Sequence, residues 1–217
     1  MAPNGTLLNE ETVEKIISSG IKRISVSLDG PDEASHDNFR QVKGAFKQAI
    51  KGIECAKKAG LEFQINSTIT KRNINAIGDI VQLAKKLGAK AYHIFLLIPT
   101  GRGKEMEKEE LSPSEYENTL KLLSRYKKDP SLEIKVTCAP HFNRIILQDN
   151  PKEAASLRGR GCMGGVGFCF ISHVGELQPC GYLELKCGNV RDLGFKKAEL
   201  NIFDVFGSIA SHFHVLM

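Results

Sequence analysis

The chain contains no tryptophan, no run near the roughly eighteen consecutive apolar residues that a membrane-spanning helix needs, and no block of one charge sign. Its first residues, MAPNGTLLNEE, carry neither the basic nor the apolar segment of a secretory signal. No membrane partner is therefore expected, and the chain reads as cytoplasmic. Thirty Lys and Arg stand against 25 Asp and Glu, a net charge of +5, but the excess is dispersed through mixed-sign stretches such as GKEMEKEE. Without a basic stripe, no nucleic-acid partner is expected. GRGCMGG and GRGKE both lack the spacing of a GxxxxGK loop, and no GxGxxG joins a strand to a helix, so no phosphate-cradling loop is present.

What is present is a folded-protein composition: 217 residues, 41% hydrophobic and 25% charged. That length accommodates one full domain and a smaller one, with a core that needs no staples. Short β-branched or aromatic runs alternate with stretches of helical spacing. RISVSLDG (23–30), EFQINSTI, AYHIFLLIP and LEIKVTC read as strands, which makes His93 a strand residue. Residues 44–59 place Phe46, Ala49, Ile50, Ile53 and Ala56 on one helical face and stop at Gly60. Asn73 to Leu87 forms a second helix, with Gly88 as its stop. LSPSEYENTLKLLSRYKK forms a third, where Ser112 caps, Pro113 occupies the first turn and Glu115 closes a capping box. The opening NGTLL run with the helix around Val13, Ile16 and Ile17 fits one more unit.

Alternation of this kind implies parallel strands joined by helical crossovers, hence an α/β fold. About five units are visible, against about eight in a closed barrel and roughly five or six in an open doubly wound sheet. A partial (β/α) barrel over residues 1–150 and an open sheet both fit that count, and strand-like residues only a few positions from Met1 leave room for further strands upstream. After Pro151 the texture becomes rich in Gly and Cys, and residues 151–217 read as a smaller module that contains a β-hairpin.

In parallel α/β folds ligands lie beyond the C-terminal ends of the strands. Ser27, Asp29, Asn66, Ser67, Thr68, Thr100, Arg102, His141 and Arg144 occupy those positions and form a polar rim, although each residue type also caps helices and turns. Cys55 and Cys138 stand alone, whereas Cys162, Cys169, Cys180 and Cys187 fall in one segment, separated by gaps of six, ten and six residues. If FCFISHVGELQPCGYL turns at Val174–Gly175, Cys169 faces Cys180; a turn at Gly175–Glu176 makes them diagonal, and a three-residue loop breaks the pairing. Zinc sites favour CxxC pairs, and none occurs here; iron–sulfur clusters tolerate irregular spacing, and inert buried thiols remain an alternative. A nucleophilic Cys–His pair lacks an activating context.

These segments resemble the radical S-adenosylmethionine (SAM) enzymes that carry a C-terminal SPASM cluster domain. ISVSLDGPDEASHDNFR, GAFKQAIKGIECAKKAG, INSTITKRN, FLLIPTGRG and TCAPHFNRI look like the segments of that family's partial TIM-like barrel. The family's Cys–spacer–Gly–four residues–Cys pattern is met by Cys162, Gly175 and Cys180. PTGRG, APHFNR and GFCFISHVG are most similar to tetrapyrrole-modifying members, the haem b synthases and didecarboxysirohaem deacetylases of the alternative haem pathway, with the haem d1 proteins beside them.

The resemblance implies a SAM site in which Ser27 and Arg40 contact the ribose and carboxylate, Asp29 belongs to the same strand end, and Asn66 and Leu97 line the nucleoside. It also implies an auxiliary 4Fe–4S cluster on Cys162, Cys169 and Cys180, with Cys187 as a further candidate ligand. Arg102, His141 and Arg144 are candidates to meet porphyrin carboxylates, and a ferredoxin or flavodoxin is the implied electron donor. The implied reaction is oxidative decarboxylation of iron-coproporphyrin propionates to vinyls through a 5′-deoxyadenosyl radical. Didecarboxysirohaem deacetylation, haem d1 formation, peptide modification and a non-catalytic SAM- or metal-binding remnant are the alternatives. The sequence contains no CxxxCxxC motif and no glycine-rich GGEP-type strand end, and no cysteine follows Gly207. The chain thus reads as the middle of a longer enzyme, truncated at both ends and inactive by itself.

Overall fold

The computed structural model describes residues 1–152, 162–165 and 167–202. The chain divides into two compact units, Met1–Leu157 and Arg158–Met217.

In the first unit, β1 (Arg23–Ser27), β2 (Glu62–Ile69), β3 (Ala91–Leu96) and β4 (Glu133–Thr137) form a parallel sheet in the order β1-β2-β3-β4. Sequential order without reversal is the winding of a barrel; a doubly wound sheet reverses at a switch point. The strands alternate between two unlike faces. Ile24, Val26, Phe63, Ile65, Ile69, Tyr92, Ile94 and Ile134 form the apolar face and are buried. They share a core with Val13 of α1 (Glu10–Ser18), Ala49 and Ile53 of α3 (Ala45–Lys58), Ile77, Ile80 and Val81 of α4 (Ile77–Leu87), and Leu120 and Leu123 of α5 (Pro113–Lys127). The opposite face carries Ser25, Ser27, Gln64, Asn66, Thr68, His93, Phe95, Lys135 and Thr137, all half-buried.

The α5 start is built as its sequence demands: Ser112 and Glu115 exchange capping hydrogen bonds, with Pro113 at the first turn. Two further helices are α2 (Glu33–Arg40), which buries only His36, and α6 (His141–Asp149), which adds Phe142, Ile145 and Ile146 to the core. Asp32 and Ser35 close a capping box at the start of α2. Asp37 then accepts the backbone N–H groups of Gly44 and Phe46, at 2.5 and 2.8 Å, and so satisfies the open end of α3 from the previous helix.

NGTLL is not a strand. Leu8 N–H bonds Gly5 carbonyl, making a turn, and of this opening segment Met1 carbonyl alone meets the β1 edge, accepting Ser25 N–H at 2.9 Å. The visible sheet therefore has four strands where about five units were expected.

In the second unit, β5 (Phe170–Ile171) and β6 (Leu177–Gln178) form an antiparallel hairpin, and α7 (Val190–Leu193) follows. Among the described residues, Leu177, Cys187, Ala198 and Ile202 cluster as its core, with Cys169 and Val190 packed alongside. Among the described residues, no helix is long and apolar enough to cross a membrane.

Candidate functional site

Ser27 closes β1 and pairs in register with Asn66 of β2, which pairs with His93 of β3. Beyond Ser27, Asp29 is fully buried and saturated. One carboxylate oxygen accepts Arg40 Nε at 2.5 Å and the other accepts Thr68 N–H at 2.8 Å. Its carbonyl accepts Asn73 Nδ2 at 2.9 Å, and its own N–H donates to His36 Nδ1 at 3.1 Å. Burial pushes the Asp29 carboxyl upward; Arg40, the Thr68 N–H and His36 pull against it. Asp29 therefore does not reach a ligand. It holds Arg40, whose terminal guanidinium nitrogens make no hydrogen bond among the described residues.

The chain can make this turn because position 30 is glycine. A Cβ at Gly30 would lie 2.6 Å from His36 N and collide with the Ser35 hydroxyl, closing off the approach of α2 to the strand end. Burial lowers the His36 pKa, in agreement with an unprotonated Nδ1 that accepts Asp29 N–H.

Ser27 at the end of β1, Asn66 paired with it inside β2, and the Arg40 fork at the end of α2 thus present polar groups around the end of β1. Leu97, just past β3 and half-buried, is fixed by its N–H to Ile69 carbonyl at 3.0 Å. An Arg fork suits a carboxylate, and Ser and Asn suit sugar hydroxyls or ring nitrogens, so the donor set fits an amino-acid nucleoside such as SAM.

The other expected residues do not join this group. His141 opens α6, exposed, its ring 5.2 Å from that of Tyr116. Arg144 is held by Glu117 in an ion pair and by Gln148 at 3.0 Å, so its fork is already engaged. The Arg102 side chain lies outside the described residues.

Sequence reasoning missed the buried Asn73 and His36, and a line of polar contacts on the open sheet face. Gln64 Nε2 donates to Asn66 Oδ1 at 3.0 Å and meets His93 Nδ1 at 3.2 Å, while His93 Nε2 contacts Thr137 Oγ1. The alternation of Gln64, Asn66 and Thr68 in EFQINSTI was the signal available for that face.

The hairpin corrects the expected cysteine pairing. Phe170 pairs with Gln178 and Ile171 with Leu177, which carries Cys169 toward Pro179 rather than Cys180. The cause is a three-residue loop, 173–175, in which Gly175 adopts φ +89°. Cys180 instead flanks Gly164 together with Cys162: a Cβ there would lie 3.4 Å from Cys180 Cβ and 3.5 Å from Cys162 Sγ. Tyr182 N–H donates to Cys180 Sγ at 3.4 Å. Cys187 is buried, its thiol bonds Leu185 carbonyl at 3.5 Å, and burial raises its pKa. Among the described residues, no three His, Cys, Asp or Glu side chains gather as a metal-holding group. The described thiols supply a flanking pair, not a complete cluster site.

The radical SAM superfamily matches residues 1–84. An AdoMet-dependent heme synthase of Nitratidesulfovibrio vulgaris is 48% identical over 204 residues, 90% of this chain and 56% of that protein. The Methanosarcina barkeri protein of the same name is 46% identical over 91% of this chain and 58% of its own length. The chain spans a little over half the length of these relatives. Among solved structures, anSMEcpe with bound AdoMet superposes with a TM-score of 0.64 at 20% identity, covering 93% of this chain and 55% of that one. Streptococcus suis SuiB bound to S-adenosylmethionine gives 0.65 at 17% identity, over 88% and 45%. With the sequential parallel sheet of the first unit, these similarities place residues 1–84 in the radical SAM superfamily.

Proposed function

We propose that the first unit is the SAM-holding part of a radical SAM enzyme of haem biosynthesis, acting on the propionate side chains of an iron-coproporphyrin. The observation that carries this reading is the high identity, 46–48% over about nine-tenths of the chain, to proteins named AdoMet-dependent heme synthase. A relative named Fe-coproporphyrin III synthase stands further off, at 28%. The cofactors are those of the superfamily, SAM and a 4Fe–4S cluster, which together supply hydrogen-atom abstraction from an unactivated carbon.

On this reading Arg40, held by Asp29, takes the SAM carboxylate; Ser27 and Asn66 bond the ribose and nucleoside; and Leu97 shields them from water. The chain's own contribution is to orient these groups and keep the site dry. The second unit is read as part of a SPASM-type auxiliary cluster module with Cys162 and Cys180, which flank Gly164, as thiolate donors. No step is assigned to that cluster. A low-potential carrier such as a ferredoxin or flavodoxin supplies the electron. Because the sequence holds no CxxxCxxC motif, this chain alone is expected to release no 5′-deoxyadenosine.

The test uses a protein of the relatives' full length that includes this chain, reconstituted anaerobically with SAM and reductant. Conversion of iron-coproporphyrin III to mono- and divinyl products, followed by mass spectrometry, supports the reading. Turnover of didecarboxysirohaem instead would move the assignment to deacetylation.

A further inference from the structure

The polar face of the sheet carries a chain of four side chains, of which the proposed function uses only Asn66. Thr137, His93, Gln64 and Asn66 lie on β4, β3 and β2, linked end to end. Gln64 Nε2 serves both neighbours, donating to Asn66 Oδ1 at 3.0 Å and to His93 Nδ1 at 3.2 Å. His93 Nδ1 must then be unprotonated, so Nε2 carries the ring proton and donates to Thr137 Oγ1. With Oδ1 directed at Gln64, the planar carboxamide of Asn66 turns its Nδ2 group the other way.

We propose that His93 and Gln64 are positioning residues that fix the polarity of Asn66, so that the carboxamide presents N–H to a hydrogen-bond acceptor on the bound nucleoside. The proposal rests on the reading that Asn66 lines the SAM site. It goes further by naming which partner Asn66 selects and which side chains select it.

The chain has a second self-consistent state. Once His93 is protonated, both ring nitrogens donate, and Nδ1–H can be satisfied only if Gln64 turns its Oε1 toward it. The same oxygen then faces Asn66, which must turn its own Nδ2 inward and present Oδ1 outward. One proton on His93 thus exchanges a donor for an acceptor at the ligand surface, two side chains away. The charged groups near His93 are Lys135 and Glu133 on β4, an ion pair at 3.4 Å; Gln64 and Asn66 on β2 carry no charge, and Arg23 and Glu62 pair with each other at 2.7 Å. Phe95 lies against the imidazole with ring centres 4.8 Å apart. Burial first, then Lys135, lowers the His93 pKa while Glu133 opposes them, so the donor state is the one held at neutral pH.

The experiment is NMR on the ¹⁵N-labelled chain between pH 8 and pH 5, following the His93 ring nitrogens and the Asn66 and Gln64 side-chain amides, with S-adenosylhomocysteine as the ligand probe. The expected result is an Nε2–H tautomer at pH 8 and Asn66 and Gln64 amide shifts that share the His93 midpoint. In Gln64→Leu, His93 still titrates and Asn66 no longer follows. Probe affinity weakens about fivefold as His93 charges, the scale of one hydrogen bond, and this pH dependence is absent in Gln64→Leu and His93→Gln. An Nδ1–H tautomer at pH 8, or an Asn66 amide that ignores the His93 titration in the wild-type chain, overturns the proposal. Coupled Asn66 and His93 shifts without probe binding at any pH would uphold the polarity relay and overturn the SAM reading of the site, which separates the two failures.

Discussion

Arg40 Nε and Asp29 Oδ2 meet at 2.5 Å, with the carboxylate fully enclosed and the guanidinium still 36% exposed. The pair is therefore asymmetric. Deleting the arginine strands a buried charge, whereas deleting the carboxylate leaves a cation that water reaches. Arg40→Ala is expected to destabilise the chain by about 2–4 kcal/mol, and Asp29→Asn by about half as much, as measured by urea unfolding at neutral pH. In Arg40→Ala the deficit should shrink on acidification, because the stranded Asp29 takes up a proton more readily in the folded state. Equal losses for the two variants would show that the pair is not the anchor of this turn. Arg40→Ala should also weaken SAM binding, and Arg40→Lys should restore only part of it, since an ammonium cannot bond Asp29 and a ligand through one planar fork.

Gly30 allows α2 to begin directly against the end of β1. Gly30→Ala would bring a methyl group to 2.6 Å from His36 N, so α2 must move and carry Arg40 with it. The expected cost is about 2 kcal/mol or more, with SAM affinity falling in parallel. Unchanged stability and affinity would mean that α2 shifts without consequence for the site.

Much of this architecture could be read from the sequence because its elements have strong periods. EFQINSTI alternates so regularly that its expected limits, Glu62 and Ile69, are the observed ones, and Ser112, Pro113 and Glu115 mark a helix start by local chemistry alone. α2 escaped because it buries only His36 and is held by its capping box and by Asp37 rather than by an apolar stripe. NGTLL was misread because Thr6, Leu7 and Leu8 look strand-like by composition, while Asn4 and Gly5 before them mark the turn that Leu8 N–H closes on the Gly5 carbonyl. In the site, Ser27 and Asn66 were legible as polar residues near strand ends, and Arg40 only through the family resemblance. The supporting shell of Asn73, His36 and His93 was not, because it depends on contacts between residues distant in sequence. The cysteine pairing failed on one residue of loop length, which inverts side-chain parity and which composition does not encode.

Tyr92 is fully buried on the apolar side of β3; its hydroxyl lies near that of Ser67, which donates to the Leu28 carbonyl, and makes no well-formed hydrogen bond among the described residues. Burial also holds its pKa far above the usual phenol value. An unpaired buried hydroxyl costs stability, so Tyr92→Phe should be neutral or stabilising by up to about 1 kcal/mol in urea unfolding. A loss of more than about 1 kcal/mol would reveal a hydrogen-bond partner for the hydroxyl.

Stability should fall as the pH drops below about 6.5, the ordinary histidine value. His36 and His93 are both held with lowered pKa values, chiefly by burial. A group whose folded pKa is depressed contributes stability above its unfolded pKa, and that contribution is lost as the pH falls toward the folded value. For one such histidine the slope cannot exceed about 1.4 kcal/mol per pH unit. Asp32, Asp37 and Glu115, lowered by hydrogen bonds from backbone N–H or hydroxyl groups, add a second decline below about pH 4. His36→Gln, whose carboxamide oxygen can still accept Asp29 N–H, should flatten the first decline and leave the second. A single transition confined to pH 4 and below would contradict the neutral-histidine assignment.

The cysteines should separate by reactivity. Cys138 and Cys162 are exposed, while Cys187 packs with Leu177, Ala198 and Ile202 among the described residues, its pKa raised by burial. Thiolate is the reactive form, so both access and protonation protect Cys187. With iodoacetamide at pH 8 and peptide mass spectrometry, Cys138 and Cys162 should be modified first and Cys187 only as the second unit opens. Cys187→Ser places a hydroxyl where a thiol fills the core, and should accelerate alkylation of Cys169, which packs against the same cluster, without changing the rate at Cys138 in the first unit. Rapid alkylation of native Cys187 would show instead that this small core opens readily, leaving the thiol available as a ligand rather than reserved for packing.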